Sequence, residues 1–79
     1  MKVNLKYFGM VAEVAGVTEE LMEVSNDINS EAISELLEEK YSKLNEIDYR
    51  LAINECLNNE KVTLNDQDIV AVLPPFSGG

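Results

Sequence analysis

The chain has no histidine, no tryptophan, one cysteine, two prolines and only six basic residues. Each scarcity excludes something. Without histidine there is no imidazole for acid–base work and no histidine-based triad. A zinc site would have to be built from carboxylates around the single thiol of Cys56, a ligand set that zinc sites rarely use. One cysteine cannot form an intrachain disulfide, so nothing calls for an oxidising compartment, and a cytoplasmic location is expected. Six Lys and Arg face fifteen Asp and Glu, a net charge of −9. That balance argues against nucleic acid, whose phosphates need clustered cations. It also argues against an anionic membrane surface, while permitting a basic protein partner. No apolar run approaches the ~20 residues that span a bilayer. Lys2 is not followed by an apolar stretch, so no signal peptide is expected.

What is present is 79 residues, 46% of them hydrophobic. That is too apolar for a disordered chain and enough for one small core. Lys2 to Tyr7 alternates polar and apolar at strand period, with Val3, Leu5 and Tyr7 inward. Phe8 breaks the alternation and Gly9 punctuates. Met10 to Ala15 suits a short helical turn with Gly16 as its stop. Thr18 to Val24 reads as a second strand, its alternation broken by the adjacent Leu21 and Met22. Asn26 to Ser30 is a turn cluster in which Asn29 or Ser30 can cap a helix. Ile33, Leu36, Leu37, Lys40 and Tyr41 share one helical face, and Glu31 suits the first turn. The spacing predicts a helix over 31–41, with Glu35, Glu38 and Glu39 on its solvated side. Arg50 to Asn54 reads as a strand. Asn58-Asn59 is expected to turn the chain into a β segment over Lys61 to Thr63, and Leu64 to Asp68 to form another turn. The apolar run Ile69 to Leu73 reads as a strand buried on both faces at the centre of a sheet. Cys56, near a strand end, reads as a small packed hydrophobe. One helix over a mixed sheet of four to five strands is the smallest layered way to bury these faces, an α+β domain over residues 1–73.

Residues 74–79, Pro74-Pro75-Phe76-Ser77-Gly78-Gly79, form the tail. The two prolines end the strand and favour a stiff, extended exit. Phe76 is apolar where a monomer gains little from it. A diglycine end threads a narrow channel because it carries no side chains and takes almost any backbone angle. An inert frayed end is the bland alternative. Apolar strand, Pro-Pro, one apolar residue, a small residue and Gly-Gly together favour a tail that another protein's active site must reach. A carboxylate is a poor electrophile, so adenylation with ATP is its natural activation.

At these residues the chain resembles the MoaD family, the sulfur-carrier small subunits of molybdopterin synthase within the ubiquitin-like β-grasp proteins. The likeness runs through Val3-Asn4-Leu5-Lys6-Tyr7-Phe8, Ala12-Glu13-Val14-Ala15-Gly16, Ala52-Ile53-Asn54, the stretch Leu64 to Ala71, and above all the tail. Gln67 departs from it, because the family commonly has Gly there. If the site needs a positive φ, Gln costs about 1 kcal/mol. The resemblance implies a β-grasp fold with a flexible C-terminal tail. It implies that an E1-like enzyme adenylates Gly79, that a sulfur donor converts it to a thiocarboxylate, and that the tail enters a MoaE-like large subunit. There the sulfur attacks cyclic pyranopterin monophosphate. It further implies a heterotetramer, no cofactor bound by this chain, ATP used by the activating enzyme, and no catalysis by this chain alone. Gly79 would carry the sulfur, Gly78 and Ser77 give clearance, Phe76 anchor the tail, and Pro74 and Pro75 aim it. Phe8 suits a partner surface or the core equally. Two other readings stay open: a ThiS-like carrier for the thiazole of thiamine, and a ubiquitin-like modifier joined through Gly79 to a lysine. A plain interaction domain with an inert tail is a third.

Overall fold

The computed structural model describes residues 1–57 and 61–75. Strand β1 (Lys2–Tyr7) buries Val3, Leu5 and Tyr7 and turns Lys2, Asn4 and Lys6 away. Helix α1 (Gly9–Ala15) ends at Gly16, whose φ of 79° lets its N–H return to the Ala12 carbonyl at 2.8 Å. Glycine takes that left-handed angle without steric cost. Strand β2 (Glu19–Glu23) follows, with Met22 packed toward the core and Leu21 exposed. Helix α2 (Ser30–Lys40) is capped by Asn29, whose Oδ1 accepts the Ala32 N–H at 2.8 Å. Ser30 instead ties the chain beyond the sheet, its Oγ accepting the Val62 N–H at 3.0 Å. A 3-10 helix over Ser42–Glu46 fills the next connector and seats Leu44 fully in the core. Strands β3 (Arg50–Ile53), β4 (Cys56–Leu57) and β5 (Ile69–Leu73) complete the chain.

The five strands form one sheet in the order β2-β1-β5-β3-β4. β1 and β5 run parallel, and the other neighbours are antiparallel. The core lies between one face of this sheet and the helices. Val3, Leu5, Val70, Val72 and Ile53 from the strands meet Ile33, Leu37, Val11, Leu44 and Leu64. A polar clip closes its edge. Glu20 on β2 accepts hydrogen bonds from Tyr7 at 2.6 Å and Tyr41 at 3.0 Å, and pairs with Lys40. The rings of Tyr7 and Tyr41 meet edge to face with centroids 5.8 Å apart, a favoured aromatic geometry. Burial alone would raise the Glu20 carboxyl, but the bonds from Lys40, Tyr7 and Tyr41 outweigh it and hold it below its ordinary range. On the far side of α2, burial and a hydrogen bond to Glu38 push the Tyr49 hydroxyl up to about 12.

Four expectations are corrected. First, the strand read over Arg50 to Asn54 ends at Ile53: Asn54 and Glu55, at φ 49° and 70°, form a two-residue hairpin turn that pairs Ile53 with Cys56. The expected turn at Asn58-Asn59 lies outside the described residues. Second, Lys61 to Thr63 is not a strand. Its backbone partners lie at the entry to α2: Ser30 donates to Val62 and Thr63 bridges Asn29, while the following Leu64 donates to Ile28. Third, β5 is central but buried on one face only, because the helices cover one side of the sheet. Val70 and Val72 are fully buried, whereas Ile69 is exposed and Ala71 and Leu73 are half-buried. Fourth, Cys56 is exposed on the outermost strand rather than packed inside.

Candidate functional site: the base of the tail

Because β5 runs parallel to β1, the C-terminal ends of both strands lie at the same end of the sheet. The Phe8 N–H donates to the Val72 carbonyl at 3.3 Å, carrying the β1–β5 ladder to the last residues of β5. Pro74 then rests against Gly9. A Cβ at Gly9 would stand 3.1 Å from the Pro74 ring, and Gly9 has a φ of 54°. Close approach and a positive φ both suit glycine here. Pro74 is half-buried by this contact and Pro75 is exposed. The direction of the exit is therefore set by the start of α1 before the prolines act. Phe8 and Met10, 44% and 46% exposed, stand beside this exit and outside the core. Phe76, Ser77, Gly78 and Gly79 lie outside the described residues.

The face of the sheet away from the helices continues this surface. On β5, Ile69, Ala71 and Leu73 point there, Leu21 joins them from β2, and Leu57 stands opposite Ala52 at the far edge. Lys6 lies opposite Ala71, and Arg50 opposite Leu73 at the tail end. Arg50 is the single arginine in a chain of net charge −9. Here a cation and exposed apolar side chains surround the point where the tail departs. Among the described residues no three metal-capable side chains cluster. The perturbed acids serve the fold: Glu20 is clipped by the tyrosines, and the Lys2 N–H holds Asp66 below its usual range at 2.8 Å. This arrangement can present a peptide end and dock against a surface.

A family model described as the ThiS family matches residues 5–79. The human molybdopterin synthase sulfur carrier subunit is 33% identical over 85 residues, covering 99% of this chain and 94% of that protein. The chain belongs to the ThiS family. Its MoaD likeness extends to solved structures. A Pyrococcus furiosus protein assigned as subunit 1 of molybdopterin converting factor superposes with a TM-score of 0.88 at 28% identity, over 96% of this chain and 99% of its own. Subunit 1 of the Helicobacter pylori factor, solved in complex with subunit 2, superposes at 0.72 and 28% identity over the full length of both chains. The fold is the ubiquitin-like β-grasp expected from the sequence.

The structure brings Phe8, Pro74 and Pro75 to one end of the sheet. Two residues there escaped the sequence reading. Gly9 looked like simple punctuation, because its contact with Pro74 spans the whole chain and leaves no local trace. Arg50 looked like the first residue of a strand. Its isolation as the only arginine was the available signal.

Proposed function

We propose that this chain is the sulfur-carrier small subunit of a molybdopterin synthase. In this reading the Gly79 carboxylate attacks the α-phosphorus of ATP on an E1-like enzyme, and pyrophosphate leaves. A persulfide donor then attacks the acyl-adenylate carbonyl and AMP departs; a second thiol cleaves the resulting acyl disulfide, leaving the Gly79 thiocarboxylate and a mixed disulfide on the donor. The tail threads into a MoaE-like large subunit, where the thiocarboxylate sulfur attacks cyclic pyranopterin monophosphate. Gly78 and Ser77 pass the channel without clash, Phe76 anchors the tail, and Phe8 beside Pro74-Pro75 contacts the large subunit. The chain itself binds no cofactor, and the acid–base groups belong to the partner. A heterotetramer in the cytoplasm is the corresponding assembly.

The observation that carries this reading is the central strand running straight into Pro74-Pro75. The family match through residue 79 and the solved pair of subunits 1 and 2 from Helicobacter pylori support it. A β-grasp domain whose middle strand feeds a stiff exit suits delivery of a chain end into another protein. The test is intact mass. The purified chain is incubated with an E1-like activator, ATP and a sulfur source, and one oxygen at Gly79 should exchange for sulfur. Adding a MoaE-like subunit and the pterin precursor should then yield molybdopterin. Absence of the exchange with every such activator would overturn the carrier reading. Lysine-linked conjugates in its place would favour a protein modifier.

A further inference from the structure

The sheet order leaves β2 at an edge. Its register against β1 tells which backbone groups face outward. The Tyr7 N–H donates to the Thr18 carbonyl and the Val24 N–H to the Met1 carbonyl, both at 2.8 Å. Bonded pairs alternate along an antiparallel ladder, so Thr18, Glu20, Met22 and Val24 turn their backbone groups toward β1. Glu19, Leu21 and Glu23 turn theirs away from the sheet. Nothing in β2 is proline or bulged, and its pairing with β1 is unbroken over five residues. Three N–H and three C=O groups in a row make a template for another strand.

Beside this edge lies a groove of about 450 Å³ lined by Met22, Glu23, Leu36, Glu39 and Lys40. Its apolar part is Met22 of β2 and Leu36 of α2, the latter 38% exposed. A methionine floor adapts to the shape of an inserted side chain. The rim is acidic. Lys40 is engaged by Glu20. Among the described residues Glu23 and Glu39 are in no ion pair. We propose that the outer edge of β2 and this groove form a docking site for an extended, cationic segment of a partner protein. The segment adds as a sixth strand, sets an apolar side chain against Met22 and Leu36, and places Lys or Arg beside Glu23 and Glu39.

Charge selects this occupant over a second copy of the chain. Antiparallel self-pairing centred on Leu21 would set Glu19 opposite Glu23 twice, and like charges directly opposite are destabilising. The same glutamates attract a basic strand. Strand β1 separates this edge from β5, so occupation here leaves the tail end of β5 open.

The test is a titration of the ¹⁵N-labelled full chain with a synthetic peptide carrying a Val-Thr-Ile-Val core and Lys-Arg flanks. A control peptide has the same core with Glu flanks. Chemical-shift changes should gather at Glu19, Leu21 and Glu23 and at Leu36 and Glu39. Exchange of the Leu21 and Glu23 amides should slow, because strand addition engages those outward N–H groups. Reversing two rim charges in Glu23→Lys/Glu39→Lys should weaken binding about tenfold or more. Leu21→Pro removes an outward donor without cutting the β1 ladder and should abolish the slowed exchange at the remaining Glu23 amide. Equal binding of both peptides, shifts centred on Phe8 and Leu73, unchanged Leu21 exchange at saturation, or no shifts at millimolar peptide would each overturn the proposal. So would sedimentation showing a dimer that Leu21→Pro dissolves.

Discussion

Two side chains stand where glycine fits better. Gln67 has φ 71° and Glu55 has φ 70°, angles at which a Cβ crowds the backbone. Among the described residues neither side chain makes a long-range hydrogen bond or ion pair that would offset this: the Gln67 amide reaches only its neighbour Asp66, at 3.3 Å. Replacing either by glycine should stabilise the fold by about 1 kcal/mol, less glycine's extra entropy when unfolded. Urea melts of Gln67→Gly and Glu55→Gly read this directly as a higher midpoint at unchanged slope. Asn54 is the contrasting case. Its φ of 49° is tolerable for asparagine, and its side chain bridges two turns. The amide donates to Asp68 at 2.9 Å and the carbonyl oxygen accepts the Ile69 N–H at 2.9 Å. Asn54→Ala removes both bonds and keeps the unfavourable angle. A loss of about 2 kcal/mol is expected in the same melts. At the tail base, Phe8→Ala removes an exposed ring, so stability should move by less than about 0.5 kcal/mol. If the ring anchors the large subunit, calorimetric titration should show affinity falling about tenfold, the scale of a modest hot spot.

Among the elements, the clip that joins β1, β2 and the end of α2 through Glu20 gives the clearest pH dependence. The Glu20 carboxyl titrates below its ordinary value in the folded chain. A depressed carboxyl contributes stability above its unfolded pKa and loses it as pH falls through the folded one. Glu20→Gln cannot titrate. The wild type should therefore exceed this variant by about 1 kcal/mol at pH 7, a figure moderated by partial exposure. The gap should close as the medium falls through and below ~4.3, the ordinary value for glutamate. Thermal melts of both proteins from pH 7 to 3 check it. Most elements carried a local signature. β1 showed its period in Val3, Leu5 and Tyr7, α2 its face in Ile33 and Leu37 and its cap in Asn29, and β5 its position in an unbroken apolar run. What stayed hidden was set by distant partners. Lys61 to Thr63 has strand-like residues, but its backbone is used by Asn29 and Ser30. The Asn54-Glu55 turn lacks the glycine that usually marks such a hairpin. The apolar run of β5 says nothing about which face the helices leave open. At the site, Pro74 and Pro75 were legible as punctuation, whereas the seat that Gly9 offers Pro74 is a contact between the two ends of the chain.

For the whole molecule, folding and delivery use separate parts of the chain. Among the described residues, every buried core residue lies from Val3 to Val72, while the proposed chemistry belongs to Gly79. The two should fail independently. Leu37 is fully buried between α2 and the sheet, so Leu37→Ala should cost about 2–5 kcal/mol. A domain of this size has a total stability of about 5 kcal/mol or little more, so much of the variant would unfold near physiological temperature. At a low temperature where circular dichroism still reports a folded chain, Leu37→Ala should accept sulfur as the wild type does. Deleting Gly79 should have the opposite effect. Its melting temperature should match the wild type within a few degrees, because about 1 kcal/mol corresponds to roughly 4–8 °C in so small a domain. The mass shift that marks thiocarboxylate formation should be absent. A deletion that melted far below the wild type would show that the end of the chain is part of the fold. A deletion that still accepted sulfur would move the chemistry off Gly79.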